Sequence, residues 1–446
     1  MRSRSRAPSA AGARSPERGV APALERGDLA PEIVVDPPGP RSRALSAALA
    51  SSEAPGVNTV GAGPSVVWAE ALGANVLDVD GNRYLDLTSG FGAAAVGHRH
   101  PRVVAAVAEQ AGRLLHGLGD VAAHPARVEL GRRLAALAPM PDARVYFAVS
   151  GSDAVEIAWK TALLATGRPG ALAFHPAYHG TSAGALALTS RDAFRAPFAA
   201  LLGGPVHRLP HGCVLRDLDD LLDRHGAEIG CVLFEPIVGR EGVLPPPPGW
   251  LASVAERCRA RGAVIVADEI FTGFGRTGTL FASTAEGATP DLVCCGKALG
   301  GGLPIAAVLG GAELMAAWDV PGEALHTGTF LAHPLACAAA LATLDVIEDE
   351  ALPDRARSLG AIVEERAVGW RDLPGVRAVR GRGLLWGVEL ADRDGAARAA
   401  GAALARGLLL LTCGENGRTL QLLPPLTVSR EQLTIALDVL EEALCR

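Results

Sequence analysis

Lysine is scarce in this sequence. Lysine and arginine together number 42, yet only Lys160 and Lys297 are lysines. A reaction that needs an amine side chain as nucleophile therefore has two candidates. No apolar run approaches the roughly 18 residues that a membrane-spanning helix requires, so we expect no membrane contact. The formal net charge is -6, and no basic stripe predicts a nucleic-acid partner.

Cysteine pairs with metal-ligand spacing are also missing. None of the eight cysteines forms a C-x-x-C pair, and several lie in apolar runs, as Cys231 does before Val232. Small buried cysteines of this kind are typical of a protein in the reducing cytoplasm. We therefore predict a cytoplasmic protein with no metal site.

Short apolar runs alternate with helical stretches from about residue 145 onward. Five such runs are apparent: 145–149, 171–174, 231–234, 263–267 and 292–295. Continuous apolar strands separated by helices are typical of a parallel sheet covered on both faces. The predicted fold class is α/β, with a mostly parallel central sheet covered by helices and a smaller α+β domain.

Polar residues follow several of these strands at the point where each one ends. They are Ser152, Glu235, Asp268 and Lys297. In parallel sheets, ligands bind beyond the carboxyl ends of the strands. We therefore expect these four side chains to converge on one site, although they lie far apart in the sequence.

Among the residues at the strand ends, Lys297 and Asp268 are the two whose side chains suggest a reaction. Lys297 lies between an apolar run and a glycine-rich stretch, so its amine could form an imine with an aldehyde, or it could be a surface lysine. Asp268 ends the most hydrophobic strand and needs a partner there. That partner could be a protonated pyridine nitrogen, a metal ion or an arginine, and the pattern alone does not choose among them.

Two further segments offer weaker signals. Ser150, Gly151 and Ser152 join a strand to a helix and form either an anion site or an ordinary helix cap. Tyr178 follows another strand and could stack on a planar ring or pack in the core. His179 beside it is interpreted as a structural histidine.

Two segments give the sequence a resemblance to a known family. They are 266–278 (VADEIFTGFGRTG) and 296–304 (GKALGGGLP), and the spacing from Asp268 to Lys297 matches as well. From about residue 58 to the C-terminus, the chain resembles the class III pyridoxal-phosphate (PLP) dependent aminotransferases of fold type I. Known members include the 4-aminobutyrate, ornithine, acetylornithine and ω-amino-acid enzymes.

The resemblance implies a role for each matching residue. Lys297 would hold PLP as a Schiff base and shuttle the proton of the substrate's Cα atom, and Asp268 would pair with the pyridine nitrogen. Gly151 and Ser152 would bind the phosphate. The remaining implied cofactor contacts are Tyr178 and Ile270 on opposite ring faces, Thr329 on the phosphate of a neighbouring subunit, and Glu235 near the cofactor. The role of Thr329 implies a homodimer with shared active sites.

The same resemblance, together with composition, suggests how the chain is divided. Residues 1–43 are rich in Arg, Ala, Pro, Ser and Gly without periodicity, so we predict a disordered tail. Residues 44–100 would begin the small domain, 101–345 would form the large PLP-binding domain, and 346–446 would complete the small domain.

The sequence departs from the family at positions that bind substrate carboxylates. Many members have arginine where Thr181 and Gln421 stand here, and glutamate where Arg240 stands. A neutral glutamine cannot provide the charge-assisted grip of arginine. Either Arg240 has taken over the carboxylate, with Arg418 as a further candidate, or the substrate is an amine without the usual α-carboxylate. We favour Arg240, because an oxo acid still has to bind.

The predicted function is transfer of an amino group from an amine or amino acid, ω-amino groups included, to a 2-oxo acid. The alternative on the same scaffold is another PLP reaction: a racemase or epimerase, an aminomutase, a decarboxylase or an amine phospho-lyase. A non-catalytic binding protein is the third interpretation.

Overall fold

The computed structural model describes residues 24–57 and 65–445. The strands are β1 (Trp68–Leu72), β2 (Asn75–Asp78), β3 (Arg83–Asp86), β4 (Ala143–Ala148), β5 (Gly170–His175), β6 (Val206–Pro210), β7 (Ile229–Phe234), β8 (Val264–Asp268), β9 (Leu292–Cys295), β10 (Ala306–Gly311), β11 (Val376–Arg382), β12 (Leu385–Leu390), β13 (Leu408–Leu409), β14 (Leu411–Cys413) and β15 (Thr419–Leu422). Each of the five predicted apolar runs overlaps one of these strands.

The helices fall between the strands. They are α1 (Pro40–Ala50), α2 (Ser89–Gly92), α3 (Pro101–Ala111), α4 (Pro125–Leu137), α5 (Gly151–Thr166), α6 (Ala183–Leu188), α7 (Asp192–Arg195), α8 (Leu215–His225), α9 (Trp250–Ala260), α10 (Ala282–Ala285), α11 (Ala312–Met315), α12 (Pro334–Asp349), α13 (Leu352–Trp370), α14 (Arg393–Leu404) and α15 (Arg430–Leu444). Short 3₁₀ turns cover Ala196–Leu201, Lys297–Gly300 and Ala316–Trp318. Within the described ranges, no helix is both long and apolar enough to cross a membrane.

The central sheet has the order β4-β10-β9-β8-β7-β5-β6 in the part of the chain that the structure describes. Neighbouring strands from β9 to β6 pair in parallel, whereas β10 is antiparallel to both β4 and β9. The prediction of a mostly parallel sheet is confirmed. Helix crossovers between parallel strands place helices on both faces.

Strand β7 shows how the sheet is buried on both faces. Cys231 and Leu233 pack with residues of α5 on one face, and Val232 and Phe234 pack with residues of α8 and α9 on the other. Because successive side chains of a strand point to opposite faces, a strand covered twice must be apolar at every position. Polar residues are therefore tolerated only where such a strand ends.

The smaller unit contains two sheets, with orders β1-β2-β3-β13 and β11-β12-β15-β14. Helices α13, α14 and α15 contribute to the hydrophobic core that also includes Trp386 of β12. The segment 408–413 contributes to both sheets: Leu408 and Leu409 pair with β3, whereas β14 pairs with β15. The smaller α+β unit therefore forms largely from the two ends of the chain.

The predicted N-terminal tail is wrong for residues 24–43, while 1–23 lie outside the described residues. The backbone N–H of Leu29 donates to Asn75 Oδ1 at 2.9 Å, and Glu32 forms a β-bridge with Arg83. Helix α1 begins at Pro40, and the Asp80 carboxylate accepts from the N–H groups of its first turn. Groups 38 to 51 residues away in the sequence hold this segment, so a local search for hydrophobic periodicity does not detect it.

Candidate active site

Lys297 lies immediately beyond β9, at the carboxyl edge of the central sheet. Its φ angle is +42°, a left-handed conformation that costs free energy for a residue other than glycine and is found at functional sites. Burial lowers the pKa of its amine, the nearby Asp268 and Glu235 carboxylates raise it in part, and Arg240 lowers it further. A lowered pKa leaves more neutral amine, which is the form that attacks a carbonyl.

Asp268 is the last residue of β8, and its side chain is buried. Its Oδ2 lies 2.7 Å from Nδ1 of His179, and its Oδ1 accepts from the N–H of Ile270 at 3.2 Å. The exposed fraction of the Asp268 side chain is 4%, and within the described ranges no lysine or arginine forms an ion pair with it. A buried carboxylate in this position suits a cationic partner that a ligand supplies.

Helix α5 begins with the segment that was predicted to bind an anion. Ser150 caps the helix by accepting from the N–H of Asp153, and Gly151 and Ser152 form its first turn. A Cβ atom at Gly151 would lie 3.0 Å from Ile270 Cδ1, and one at Gly180 would lie 2.1 Å from Ser152 Oγ. Both glycines therefore permit a close approach that a side chain would block, beside a helix N-terminus that favours negative charge.

Ile270 lies between the first turn of α5 and the end of β9, the strand that precedes Lys297. Besides its contact with Gly151, its Cγ2 atom would lie 3.4 Å from a Cβ atom at Gly296. Ser152 Oγ also accepts from the N–H of Thr181 at 3.3 Å. The ends of β4, β8 and β9 are thereby in contact, as the sequence pattern predicts.

Glu235 follows β7 and holds two other segments together. Its Oε1 accepts from the N–H of Tyr178 at 3.0 Å, and its Oε2 accepts from the N–H of Gly239 at 2.8 Å. Burial raises the pKa of this carboxyl to about 7, with His179 lowering it and Asp268 raising it. The sequence left the role of Glu235 undefined, and the structure gives it a positioning role for Tyr178.

Arg240 stacks on two aromatic rings. Its guanidinium carbon lies 4.3 Å from the centroid of the Tyr178 ring and 5.2 Å from that of Phe194. No carboxylate among the described residues forms an ion pair with it, whereas the adjacent Glu241 pairs with Arg191 at 2.7 Å. Arg240 therefore presents a positive charge, near Lys297, that pairs with no carboxylate in the described part of the chain.

The other substrate-binding candidates differ in how the structure uses them. Gln421 is buried and its amide donates to the carbonyl of Gly239 at 3.3 Å, so it supports the turn that carries Arg240. Arg418 pairs with Glu389 at 2.6 Å, a carboxylate that also pairs with Arg380, so Arg418 has a carboxylate partner that, within the described ranges, Arg240 lacks. Thr181 is exposed beside Ser152, and Thr329 is exposed on a loop that begins after Trp318.

The sequence pattern assigns no functional role to three residues that lie at this site. His179 was interpreted as structural, but it contacts the key carboxylate through Nδ1 while its Nε2 is buried without a partner. Phe194, on α7, has no motif around it. Phe271 lies under Lys297, with Nζ 4.6 Å from its ring centroid, and its place directly after Ile270 was the one available signal.

Comparison with known proteins decides the family. The family model described as aminotransferase class-III matches residues 58–444. The chain belongs to the class-III aminotransferases. Acetylornithine aminotransferase of Methanothermobacter thermautotrophicus is 36% identical over 376 residues, covering 84% of this chain and 93% of the relative. The 4-aminobutyrate aminotransferase of Mycobacterium tuberculosis (strain H37Rv) is 37% identical over 442 residues, covering 91% and 96%.

Solved structures of aminotransferases share the fold. An aminotransferase of Bacillus anthracis aligns with a TM-score of 0.85 at 27% identity, covering 91% of this chain and 98% of that one. A PLP-bound amine transaminase from an uncultivated Pseudomonas species aligns with a TM-score of 0.82 at 29% identity, covering 88% and 98%. This class-III aminotransferase therefore has the fold type I architecture and uses PLP to move amino groups between an amino donor and a 2-oxo acid.

The residues that converge here fit PLP. A buried carboxylate without a cation suits the protonated pyridine nitrogen, a glycine-lined helix N-terminus suits the phosphate, and an amine of lowered pKa suits the aldehyde. His179 and the N–H of Ile270 each contact one oxygen of Asp268, and each oxygen keeps a further lone pair that can accept from the pyridinium N–H.

Proposed function

We propose that this aminotransferase binds PLP through Lys297 as a Schiff base and transfers ω-amino groups to a 2-oxo acid whose carboxylate binds Arg240. The observation that carries the proposal is the meeting of Lys297, Asp268 and the N-terminus of α5 at one sheet edge. The names of the relatives, which act on acetylornithine and 4-aminobutyrate, support an ω-amino donor. Racemase, aminomutase, decarboxylase and phospho-lyase reactions are not favoured by these relatives.

Each residue of the chain has one task in this proposal. PLP, when bound, would supply a sink for the electrons that are released when the C–H bond on the amine-bearing carbon of the donor breaks. Lys297 would take that proton on its amine and deliver it to the aldehyde carbon of the cofactor rather than back to the donor. Asp268, oriented by His179, keeps the ring nitrogen protonated. Gly151 and Ser152 hold the phosphate, and Tyr178 and Ile270 confine the ring between them.

A half-reaction screen tests the function. The yellow holoenzyme is mixed with single donors (4-aminobutyrate, ornithine, acetylornithine and a simple primary amine) in the absence of an oxo acid. We expect ω-amino donors to bleach the absorbance of the bound cofactor and to yield the corresponding oxo product. Carbon dioxide release, a racemised donor, or no change with any donor would contradict the proposal.

Arg240→Ala is expected to raise KM for the oxo acid at least 10-fold while PLP stays bound. The loss of one charge-assisted carboxylate contact accounts for an effect of this size, because 1.4 kcal/mol corresponds to a factor of about ten. Arg418→Ala is the matched control, since that guanidinium already pairs with Glu389, and its KM should stay within about twofold. If the two substitutions raised KM equally, Arg240 would not be the residue that binds the carboxylate of the oxo acid.

We further propose that the enzyme is a cytoplasmic homodimer. The loops around residues 112–123 and 325–333 expose several large apolar side chains: Leu115 (61%), Leu118 (62%), Val121 (76%) and Phe330 (62%). The ring of His116 contacts that of Phe330, so the two loops form one surface, and contiguous apolar surface marks an interface. Thr329 lies within it. The free cysteines, Cys445 being exposed among them, support the reducing cytoplasm.

Mixed dimers test whether Thr329 acts across the interface. One hybrid combines a Lys297→Ala chain with a Thr329→Ala chain. The other combines a Lys297→Ala/Thr329→Ala chain with a wild-type chain. If Thr329 serves the neighbouring subunit, the first hybrid keeps one intact site and half of the wild-type activity at limiting PLP, whereas the second is about 10-fold weaker. The reverse order would place Thr329 in its own subunit's site.

A further inference from the structure

Two histidines and a glutamate lie close together at the amino ends of the parallel strands, whereas Lys297 lies at the carboxyl ends. The Nε2 atom of His207 lies 2.8 Å from Oε1 of Glu228, and Nδ1 of His225 lies 3.1 Å from the same oxygen. The two imidazole rings have centroids 4.3 Å apart and planes inclined by 32°. The three ligand-type atoms all lie within 4.8 Å of one another.

These separations are close to those of a metal-ligand set. Zinc binds histidine nitrogen and carboxylate oxygen at about 2.0–2.2 Å, so neighbouring ligands of a tetrahedral ion stand roughly 3.3 Å apart. The two separations of 2.8 and 3.1 Å need to open by only a few tenths of an ångström. Two imidazoles and one carboxylate are also the donor types that zinc and its neighbours in the periodic table accept.

The three residues are held by regular structure rather than by a loose loop. His207 lies on the edge strand β6, which pairs with β5, and His225 is the last residue of α8. The backbone of Glu228 is fixed on both sides, because its N–H donates to the carbonyl of His225 and its carbonyl accepts from the N–H of Gly170. Ligands on fixed elements lose little conformational freedom when an ion binds.

The surroundings favour a cation. The C-terminus of an α-helix carries partial negative charge, and α8 is 11 residues long and ends at His225. The side chains of His207, His225 and Glu228 are 19%, 40% and 43% exposed, which gives an ion access from solvent.

We propose that His207, His225 and Glu228 bind one divalent cation of the zinc class, with water completing a tetrahedral shell. The ion would join the edge strand β6 to the connection between α8 and β7. The site lies at the amino end of β7, whereas Glu235 lies beyond its carboxyl end, so the six-residue strand separates the ion from the cofactor by roughly 20 Å. The proposal is therefore independent of the chemistry at Lys297, although the sequence pattern predicted no metal.

The test measures Zn²⁺ binding to the holoenzyme by equilibrium dialysis with elemental analysis. We expect a class of binding equivalent to one Zn²⁺ per chain at micromolar concentration, and a thermal unfolding midpoint that rises with Zn²⁺ and falls again with EDTA. Glu228→Gln and His225→Gln should each weaken this binding at least 10-fold. Two variants are used so that the test still holds if one of them fails to fold.

The matched control is Glu350→Gln. Glu350 also faces a histidine, with His100 Nε2 3.4 Å from its Oε1. Among the described residues, however, Glu228 is the only carboxylate that forms a metal-ligand cluster with two histidines. The Glu350→Gln variant should therefore bind Zn²⁺ as the wild type does. Absence of micromolar binding in the wild type, or binding that all the variants retain, would overturn the proposal.

Discussion

Lys297→Ala is expected to abolish transamination, with kcat lowered at least about 10⁴-fold. The substitution removes the group that binds the aldehyde and the group that carries the Cα proton, and a positioned base alone contributes about 10²- to 10⁴-fold. The chain has no substitute nearby, because its second lysine, Lys160, is exposed on α5 and contacts His326. Steady-state rates and the absorbance of the bound cofactor measure the two losses separately.

The proton-carrying role can be separated from covalent binding by adding small primary amines. Methylamine or ethylamine should restore part of the Lys297→Ala rate, because a free amine can enter the vacated space and act as the base. After borohydride treatment of the wild type, reduced cofactor should be attached at Lys297, and Lys160→Ala should show the same attachment. Attachment at Lys160, or full activity of Lys297→Ala, would disprove the assignment.

Asp268→Asn is expected to lower kcat at least about 100-fold while leaving the fold intact. The amide has nearly the same volume, and its oxygen can still accept from the N–H of Ile270 or from His179, but it carries no negative charge. The ring nitrogen then loses the counter-ion that keeps it protonated, and electrostatic contacts of this kind are typically worth about 10²- to 10³-fold. Single-turnover rates of Cα proton loss measure the effect on the step itself.

A cofactor analogue methylated on the ring nitrogen distinguishes charge from structure in this variant. The analogue has a permanent positive charge and does not depend on Asp268 for it. The ratio of the PLP rate to the analogue rate should therefore be at least 10-fold smaller in Asp268→Asn than in the wild type. An unchanged ratio would mean that Asp268 acts only through packing or through His179.

The elements that the sequence predicts well are those whose signal is local. The run at 292–295 coincides with β9, and Ser150, at a segment that the sequence offers as a helix cap, caps α5. An unbroken apolar run and a cap are both contained within a few residues. The convergence of strand ends on one edge follows from the parallel order, which such runs also predict.

The features that the sequence does not predict depend on contacts between distant segments. Residues 24–43 are ordered by side chains such as Asn75 and Asp80, and nothing near residue 30 carries that information. The guanidinium of Arg240 lies against the rings of Tyr178 and Phe194. Tyr178 follows β5, Phe194 lies on α7 and Arg240 follows β7, so their contact is not visible in the sequence. His179 could be assigned to Asp268 only once β8 and the segment after β5 were placed side by side.

The hydrogen bonds of Glu235 have a consequence for attempts to change the substrate range. One carboxyl group fastens the segment that carries the ring-stacking Tyr178 and the turn that leads to Arg240. The two segments that border the cleft are therefore linked to each other through Glu235, and Gln421 holds the second of them as well. We expect that a bulkier donor needs a smaller side chain at position 194 or 240. Substitutions of Glu235 should instead weaken the binding of cofactor and substrate together.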